Sequence, residues 1–358
     1  MERYRRDLER GYRSDPAQSV VVDYLQGIYF ALLNESRQPP GLMQRLFARK
    51  RQAIKGIYLW GGVGRGKTYL VDSFYESLGF LPRRRIHFHH FMRDIHEQLK
   101  TLPKSPNPMP IIARKLAQEI RVLVLDEFFV DDIADAMLLV GLLPALFEHG
   151  LVLITTSNIE PDELYKNGLQ RLHFLKAIEE IKANTHVVEL AEGDDFRLQR
   201  LERGGTYHVV RSEQEADAIL QRQYEQLVPE HERLNTPFEI NHRIIDTRGH
   251  NLDIVRFDFR AICETPRSPS DYVEIAREYH TVLIGTVPEM GEGKEDVAKR
   301  FMHLIDALYD HSVKLIVTAE SPPDELYHGR RIRRAFARTV SRLHEMGSKA
   351  YLSQPHKA

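Results

Sequence analysis

Gly61-Gly62-Val63-Gly64-Arg65-Gly66-Lys67-Thr68 fits the pattern G-x-x-x-x-G-K-[ST] without a gap. That spacing builds a loop whose backbone N–H groups surround the α/β-phosphates of a nucleotide. Its lysine reaches the β/γ-phosphates and its hydroxyl coordinates Mg2+. Lys67 and Thr68 take those roles here. Gly61, Gly62, Val63, Gly64, Arg65 and Gly66 form the cradle, and Tyr69 is counted with the residues that contact the nucleotide. Glycine lets the main chain approach a phosphate with no Cβ in the way. Gly56–Trp60 upstream reads as a buried strand and Thr68–Tyr75 downstream as a helix. Strand, glycine-rich turn and helix are the context the motif needs, because the helix N-terminus also favours phosphate. A plain glycine-rich turn accounts for the glycines but not for Lys67-Thr68.

A phosphate loop needs a metal-binding acid on a second strand. Val122-Leu123-Val124-Leu125-Asp126-Glu127 supplies one, 59 residues after Lys67. The apolar run predicts a strand buried in a parallel sheet, with its C-terminal end facing the nucleotide. Asp126 is then the Mg2+ residue, directly or through water, and Glu127 polarises the attacking water. A further buried strand, Leu151–Thr156, ends in Ser157-Asn158. Asn158 either bonds the attacking water or γ-phosphate, or caps the following Pro161-Asp162-Glu163-Leu164 turn.

The rest of the first half alternates helix and strand. Residues 1–50 read as helical, with Tyr24, Ile28, Leu32 and Leu33 at helical spacing and a start at Asp15-Pro16. Arg85–Phe91 alternates like a strand, which would put His87 and His89 on one face; no Cys or acid stands at ligand spacing for a metal there. Residues 101–110 carry four prolines and read as a loop before a short helix at Ile111–Ile120. Asp131–Glu148 reads as an amphipathic helix with Ile133, Ala136, Met137, Val140 and Leu143 on its buried stripe.

Bulk composition sets limits. The chain has 358 residues, 42% of them hydrophobic and 28% charged, with net charge −1. That size suggests two domains. The near-neutral charge argues against a nucleic-acid partner, for which Arg83-Arg84-Arg85 and a late arginine cluster are the only basic candidates. A single cysteine, Cys263, excludes an internal disulfide and suits a reducing compartment. No apolar run reaches the ~18 residues of a membrane span, and the acid-containing N-terminus lacks the apolar core of a secretory signal. The expectation is a cytoplasmic protein.

The phosphate loop alone is generic, but further stretches accompany it, of which His87-Phe88-His89 and Asn167-Gly168-Leu169-Gln170-Arg171 are specific. The stretches are His87-Phe88-His89-His90-Phe91-Met92, Asp126-Glu127-Phe128, Asp132–Met137, Thr156-Ser157-Asn158, Leu164-Tyr165-Lys166-Asn167-Gly168-Leu169-Gln170-Arg171 and Arg338–Met346, with Asp15-Pro16-Ala17-Gln18 near the start. In them the chain resembles the ZapE-type cell-division AAA+ ATPase family and its mitochondrial AAA relatives, over nearly its whole length. Lys176 departs from the family, which favours proline there. The resemblance implies an AAA+ ATPase using ATP and Mg2+, assembled as a homo-oligomer and acting on a protein partner. That partner would be FtsZ or another division or membrane-associated protein, met at the division site or the inner membrane surface. It also implies that Arg171, which by itself reads as a solvated helix residue, projects into the γ-phosphate of the neighbouring subunit. Arg342 is a weaker candidate for a second nucleotide sensor.

The second half echoes the first. Ala145–Tyr165 aligns without gaps on Ala307–Tyr327 at an offset of 162, with 11 of 21 positions identical, including Pro-Asp-Glu-Leu-Tyr. Val122–Leu125 lies opposite Val282–Gly285, and Arg171 and Phe174 match Arg333 and Phe336. Similarity at a fixed offset suggests a repeated unit; two strand–helix–strand solutions could also converge, but the shared Pro-Asp-Glu-Leu-Tyr favours duplication. In this alignment Thr286-Val287 stand opposite Asp126-Glu127 and Glu320 opposite Asn158, with no phosphate loop ahead of them. Gly291-Glu292-Gly293-Lys294 has the wrong spacing and reads as a loop. Phe238–Phe259 reads as a hairpin turning at Thr247–Asn251. Arg330, Arg331, Arg333, Arg334 and Arg338 form a basic cluster that is either a solvated helix face or a contact for a nucleotide or acidic partner.

The expected fold class is α/β. A P-loop NTPase core of AAA+ type with a parallel sheet is joined to a C-terminal α/β unit that looks like a degenerate repeat lacking a phosphate loop. The expected divisions are an N-terminal helical segment (1–50), the ATPase core (51–192), a helical connector (193–235) and a C-terminal α/β domain without a nucleotide site (236–358).

Overall fold

The computed structural model describes residues 16–37, 53–62, 66–102, 106–190, 201, 204–228, 233–240, 243–251, 253–354 and 356–357. The chain divides into two compact units, Met1–Asp194 and Asp195–Ala358. No helix among the described residues is long and apolar enough to cross a membrane.

The first unit is built on five parallel strands: β1 (Gly56–Trp60), β2 (Arg83–His87), β3 (Val122–Asp126), β4 (Val152–Ser157) and β5 (Thr185–Glu189). They lie in the order β2-β3-β4-β1-β5. Continuous apolar runs form these strands because both sheet faces are covered. Ile57, Leu59, Val122, Val124, Val152 and Ile154 share a core with α1 (Pro16–Arg37) and α2 (Lys67–Ser77). Tyr58, Leu123, Leu125 and Leu153 point the other way. They pack under α3 (Phe88–Thr101), α4 (Met109–Glu119), α5 (Ile133–Glu148) and α6 (Arg171–Asn184).

Three local expectations change. The strand at Arg85–Phe91 stops at His87, and Phe88 starts α3; Phe88, Phe91, Met92 and Ile95 recur at helical spacing and are buried together. The buried face of α5 is Ala136, Leu139, Leu142, Leu143 and Leu146, while Ile133 is exposed, because the helix is apolar nearly all round and periodicity could not orient it. On α1 the buried residues are Val21, Leu25, Ile28 and Leu32, with Tyr24 exposed. The helix shares its core with β1 and β5, and so belongs to the first unit.

The second unit repeats this architecture. Its sheet runs β6 (Tyr207–Val209), β12 (Lys314–Ala319), β11 (Thr281–Val287), β10 (Ile254–Asp258) and β9 (Gly249–His250), in that order. All are parallel except β9. Thus β6-β12-β11-β10 has the order of β1-β4-β3-β2. Helix α7 (Glu213–Leu227) follows β6 as α2 follows β1, and α8 (Pro269–Glu278) precedes β11. The offset of 162 holds to the residue for α5 against α9 (Glu295–Asp310), β4 against β12, the 3-10 turns Pro161–Glu163 and Pro323–Glu325, and α6 against α10 (Arg333–Met346). Tyrosines on the equivalent strands β1 and β6 make the same bond: Tyr58 Oη donates to Ile159 O and Tyr207 Oη to Ser321 O, each at 2.8 Å.

The segment expected as a connector, 193–235, therefore contains β6 and α7, which build the second sheet and one of its covering layers. The expected hairpin is two hairpins: β7 (Phe238–Ile240) pairs with β8 (Arg243–Ile245), and β9 pairs with β10. A short α11 (Lys349–Leu352) closes the unit.

Register also moves the sequence alignment by one residue. Leu125 lies beside Thr155, and Ile284 beside Val317. Gly285, not Thr286, is then opposite Asp126, and Thr286 is opposite Glu127. Backbone geometry agrees. Glu127 and Thr286 have φ 54° and 59°. Glu127 N–H donates to Thr156 Oγ1 at 3.1 Å, and Thr286 N–H to Thr318 Oγ1 at 3.0 Å.

Candidate functional site

Parallel strands bring their C-terminal ends to one edge, where ligands of such sheets sit. On the first unit that edge carries Gly61 after β1, Asp126 and Glu127 at the end of β3, and Asn158 after β4. Strand β4 lies between β1 and β3, so Asn158 stands between the phosphate loop and the acids.

Lys67 opens α2 and is buried. Its Nζ donates to Gly61 O at 2.5 Å, Gly62 O at 2.7 Å and Asn158 Oδ1 at 3.0 Å. Asn158 therefore bonds the loop lysine and does not cap the turn that follows, where Glu160 holds the cap position. Thr68 and Tyr69 are half-buried in the first turn of α2. Val63, Gly64 and Arg65 lie outside the described residues.

Two glycines are required by geometry. Gly61 has φ 141°, and a Cβ there would come within 2.4 Å of Leu190 O. Gly66 has φ 85°, and a Cβ there would sit 3.0 Å from Gln18 Nε2. The buried amide of Gln18, on α1, thus rests against the loop, a contact the sequence did not suggest. Close-approach backbone at a helix start fits a phosphate chain. Thr68 and Asp126 offer hydroxyl and carboxylate oxygens, the hard donors that Mg2+ prefers. The residues present fit both a nucleotide and its metal.

Asp126 and Glu127 are consecutive, and in an extended strand they would face opposite sides. The left-handed backbone at Glu127 breaks that alternation, at a cost of about 1–2 kcal/mol for a residue other than glycine. Thr156 ties the bend on both sides: it accepts from Glu127 N–H, and its hydroxyl reaches Asp126 Oδ1 at 3.4 Å. Asp126 is also held by Arg85 of β2, whose Nε donates to Oδ2 at 2.6 Å and Nη2 to Oδ1 at 3.3 Å. Sequence reasoning missed Thr156 and Arg85. Arg85 was legible only as one of three arginines suggesting a basic surface. In the structure Arg83 stacks on Tyr75 and Arg84 pairs with Asp94, so the triplet is not a free basic stripe.

His87, at the end of β2, is buried beside His89 and His90. Burial first, and then Arg93 and His87, lower the pKa of His90 to about 3, so this ring is neutral.

Arg171 begins α6. Its guanidinium bonds the Leu164 carbonyl, and its Nη2 donates to Asp162 O at 2.5 Å, which fixes it on the 3-10 turn after β4. Leu169 and Leu172 beside it are 72% and 82% exposed and form an apolar flank to the arginine. The equivalent surface of the second unit is basic: Arg331, Arg333 and Arg334 stand opposite Leu169, Arg171 and Leu172, and all three are exposed. Arg342, the second-sensor candidate, is instead tied to Asp306 and Asp310 and stacked on Tyr309, which makes it a packing residue of α9 and α10.

The corresponding edge of the second unit lacks the chemistry. Only Val210, Arg211 and Ser212 separate β6 from α7. Ser212 caps the helix by accepting from Glu215 N–H, and Glu213 and Glu215 fill the first turn with negative charge, which disfavours phosphate.

A model of the AFG1-like ATPase family matches residues 1–355. Cell division protein ZapE of Escherichia coli (strain K12) is 41% identical over 360 residues, covering 98% of this chain and 96% of that protein. Lactation elevated protein 1 homolog B of Danio rerio is 35% identical over 311 residues, covering 82% of this chain and 61% of that protein. An uncharacterized protein of Schizosaccharomyces pombe is 31% identical over 366 residues, covering 91% of this chain and 80% of that protein.

Proposed function

The chain belongs to the AFG1-like ATPase family and is an ATPase, and we propose that it hydrolyses ATP with Mg2+ at the Gly61–Thr68 edge to remodel a protein of the division machinery. The observation that carries this reading is the meeting of Lys67, Asn158, Asp126 and Glu127 at one sheet edge, with Lys67 and Asn158 in direct contact at 3.0 Å.

Lys67 and the loop amides hold the β/γ-phosphates and stabilise charge on them as the bridging P–O bond breaks. Thr68 and Asp126 hold Mg2+, which when bound neutralises phosphate oxygens. Glu127 takes the proton of the water whose oxygen bonds to the γ-phosphorus, and Asn158 orients that water. ADP leaves with the bridging oxygen. Positioning and charge stabilisation supply most of the rate. Arg171 enters the site of a neighbouring subunit on leaving the Leu164 and Asp162 carbonyls that it bonds in its own chain, and the exposed Leu169 and Leu172 beside it are suited to that contact.

The relative named as a cell division protein motivates the partner, with FtsZ the first to test. The test mixes Arg171→Ala with Glu127→Gln, each inactive alone. Recovery of ATPase activity in the mixture is expected if sites are shared; no recovery removes Arg171 from the shared site. Sedimentation of FtsZ polymers with the parent and with Glu127→Gln, plus and minus ATP, tests the partner: polymer loss must require both ATP and an intact Glu127.

A further inference from the structure

Arg85 is a buried cation that no motif accounts for. It lies on β2 and bonds two acids from different elements: Asp126 of β3 through Nε and Nη2, and Asp72 of α2 through Nη1. All three side chains are nearly withdrawn from solvent. Asp72 sits one helical turn after Thr68, so the two share a face of α2. The guanidinium thus joins the helix that carries Lys67 and Thr68 to the strand that carries Asp126 and Glu127.

We propose that Arg85 is a positioning residue that sets the net charge under the metal site, one negative charge from two acids and one arginine. A buried arginine matched to one carboxylate would cancel it; the second carboxylate leaves a single charge available to a cation. Two uncompensated acids would attract Mg2+ more strongly but repel the phosphates of metal-free nucleotide. A neutral cluster would do the reverse. Charges a few ångströms apart at low solvent exposure interact strongly enough to shift binding by about tenfold. The planar fork also holds Asp126 by both oxygens, which a lysine cannot do.

The inference rests on reading Asp126 as a metal residue, and its test separates the two. Binding of a fluorescent ATP analogue is titrated with Mg2+, and separately measured in EDTA, for Arg85→Gln, Asp72→Asn and the double variant. Arg85→Gln is expected to lower the half-saturating Mg2+ at least about threefold and to weaken binding in EDTA. Asp72→Asn is expected to raise half-saturating Mg2+ by a similar factor. The double variant, with its net charge restored, returns near the parent. Opposite shifts from two partners of one ion pair are not produced by a loss of packing. Should Arg85→Gln fail to fold, Asp72→Asn and the double variant carry the same test. Shifts of the same sign, or none, overturn the proposal. Asp126→Asn with an unchanged Mg2+ requirement would instead remove the metal assignment itself.

Discussion

Replacing Thr156 with valine removes one hydroxyl and keeps the shape of the side chain. In the parent that hydroxyl accepts from Glu127 N–H at 3.1 Å and reaches Asp126 Oδ1 at 3.4 Å. A donor left without its acceptor at such a place costs about 1–3 kcal/mol. That is of the same size as the ~1–2 kcal/mol that the left-handed backbone of Glu127 costs. The bend therefore loses its tie, and the carboxylate spends most of its time out of position. At 1.36 kcal/mol per tenfold, the same ~1–3 kcal/mol lowers kcat by about 5- to 150-fold. The second unit supplies the control. Thr318→Val removes the same bond, to Thr286 N–H at 3.0 Å, from the same bend at φ 59° with no acid on it. Both variants should lose comparable stability in urea unfolding, and only Thr156→Val should lose kcat at saturating ATP with nucleotide affinity nearly unchanged. Equal kcat losses in the two variants, or parent-like kcat in Thr156→Val, would refute the assignment of Glu127 as the base held by this bend.

Three further outcomes are expected. Gly61→Ala places a Cβ 2.4 Å from Leu190 O at φ 141°, so it should lower stability by about 1–3 kcal/mol and weaken nucleotide binding, both read by thermal unfolding with and without ATP. His90, with its pKa lowered to about 3 from 6.5, stays neutral in the folded chain while the unfolded chain takes up a proton below 6.5. Stability is then fully present above pH 6.5 and falls as pH drops toward 3. His90→Gln should flatten that part of the curve of urea midpoint against pH, and an unchanged slope would contradict the assignment. Calorimetry should find one ATP per chain, and Lys67→Ala should leave no tight site; a residual site would mean that the second unit binds nucleotide after all.

Much of the fold and part of the site are written locally. The phosphate loop, the apolar strand ending in Asp126-Glu127 and the strand ending in Asn158 are contiguous patterns, and each implies its own backbone state. The repeat was also legible, because Pro-Asp-Glu-Leu-Tyr recurs at a constant offset. Its extent was not. Strand β6 shares only Gly-x-Tyr with β1, Gly205 and Tyr207 against Gly56 and Tyr58, which is too short to mark a counterpart; pairing of Tyr207 with Val317, as Tyr58 pairs with Thr155, identifies it. Register is set by packing of a whole face, and a one-residue slip is invisible upstream of the stretch that aligns without gaps, so Gly285 and Thr286 could be placed only by the strand beside them.

The sequence by itself determined which residues could meet a nucleotide, because a glycine-rich turn, a lysine and terminal acids act through spacing along the chain. Tertiary structure alone decided what holds those residues in place. The order β2-β3-β4-β1-β5 puts Asn158 on Lys67, Thr156 under Glu127 and Arg85 between Asp72 and Asp126. These contacts join residues 13 to 91 positions apart, and no periodicity within one element encodes a bond between side chains that only sheet order makes neighbours.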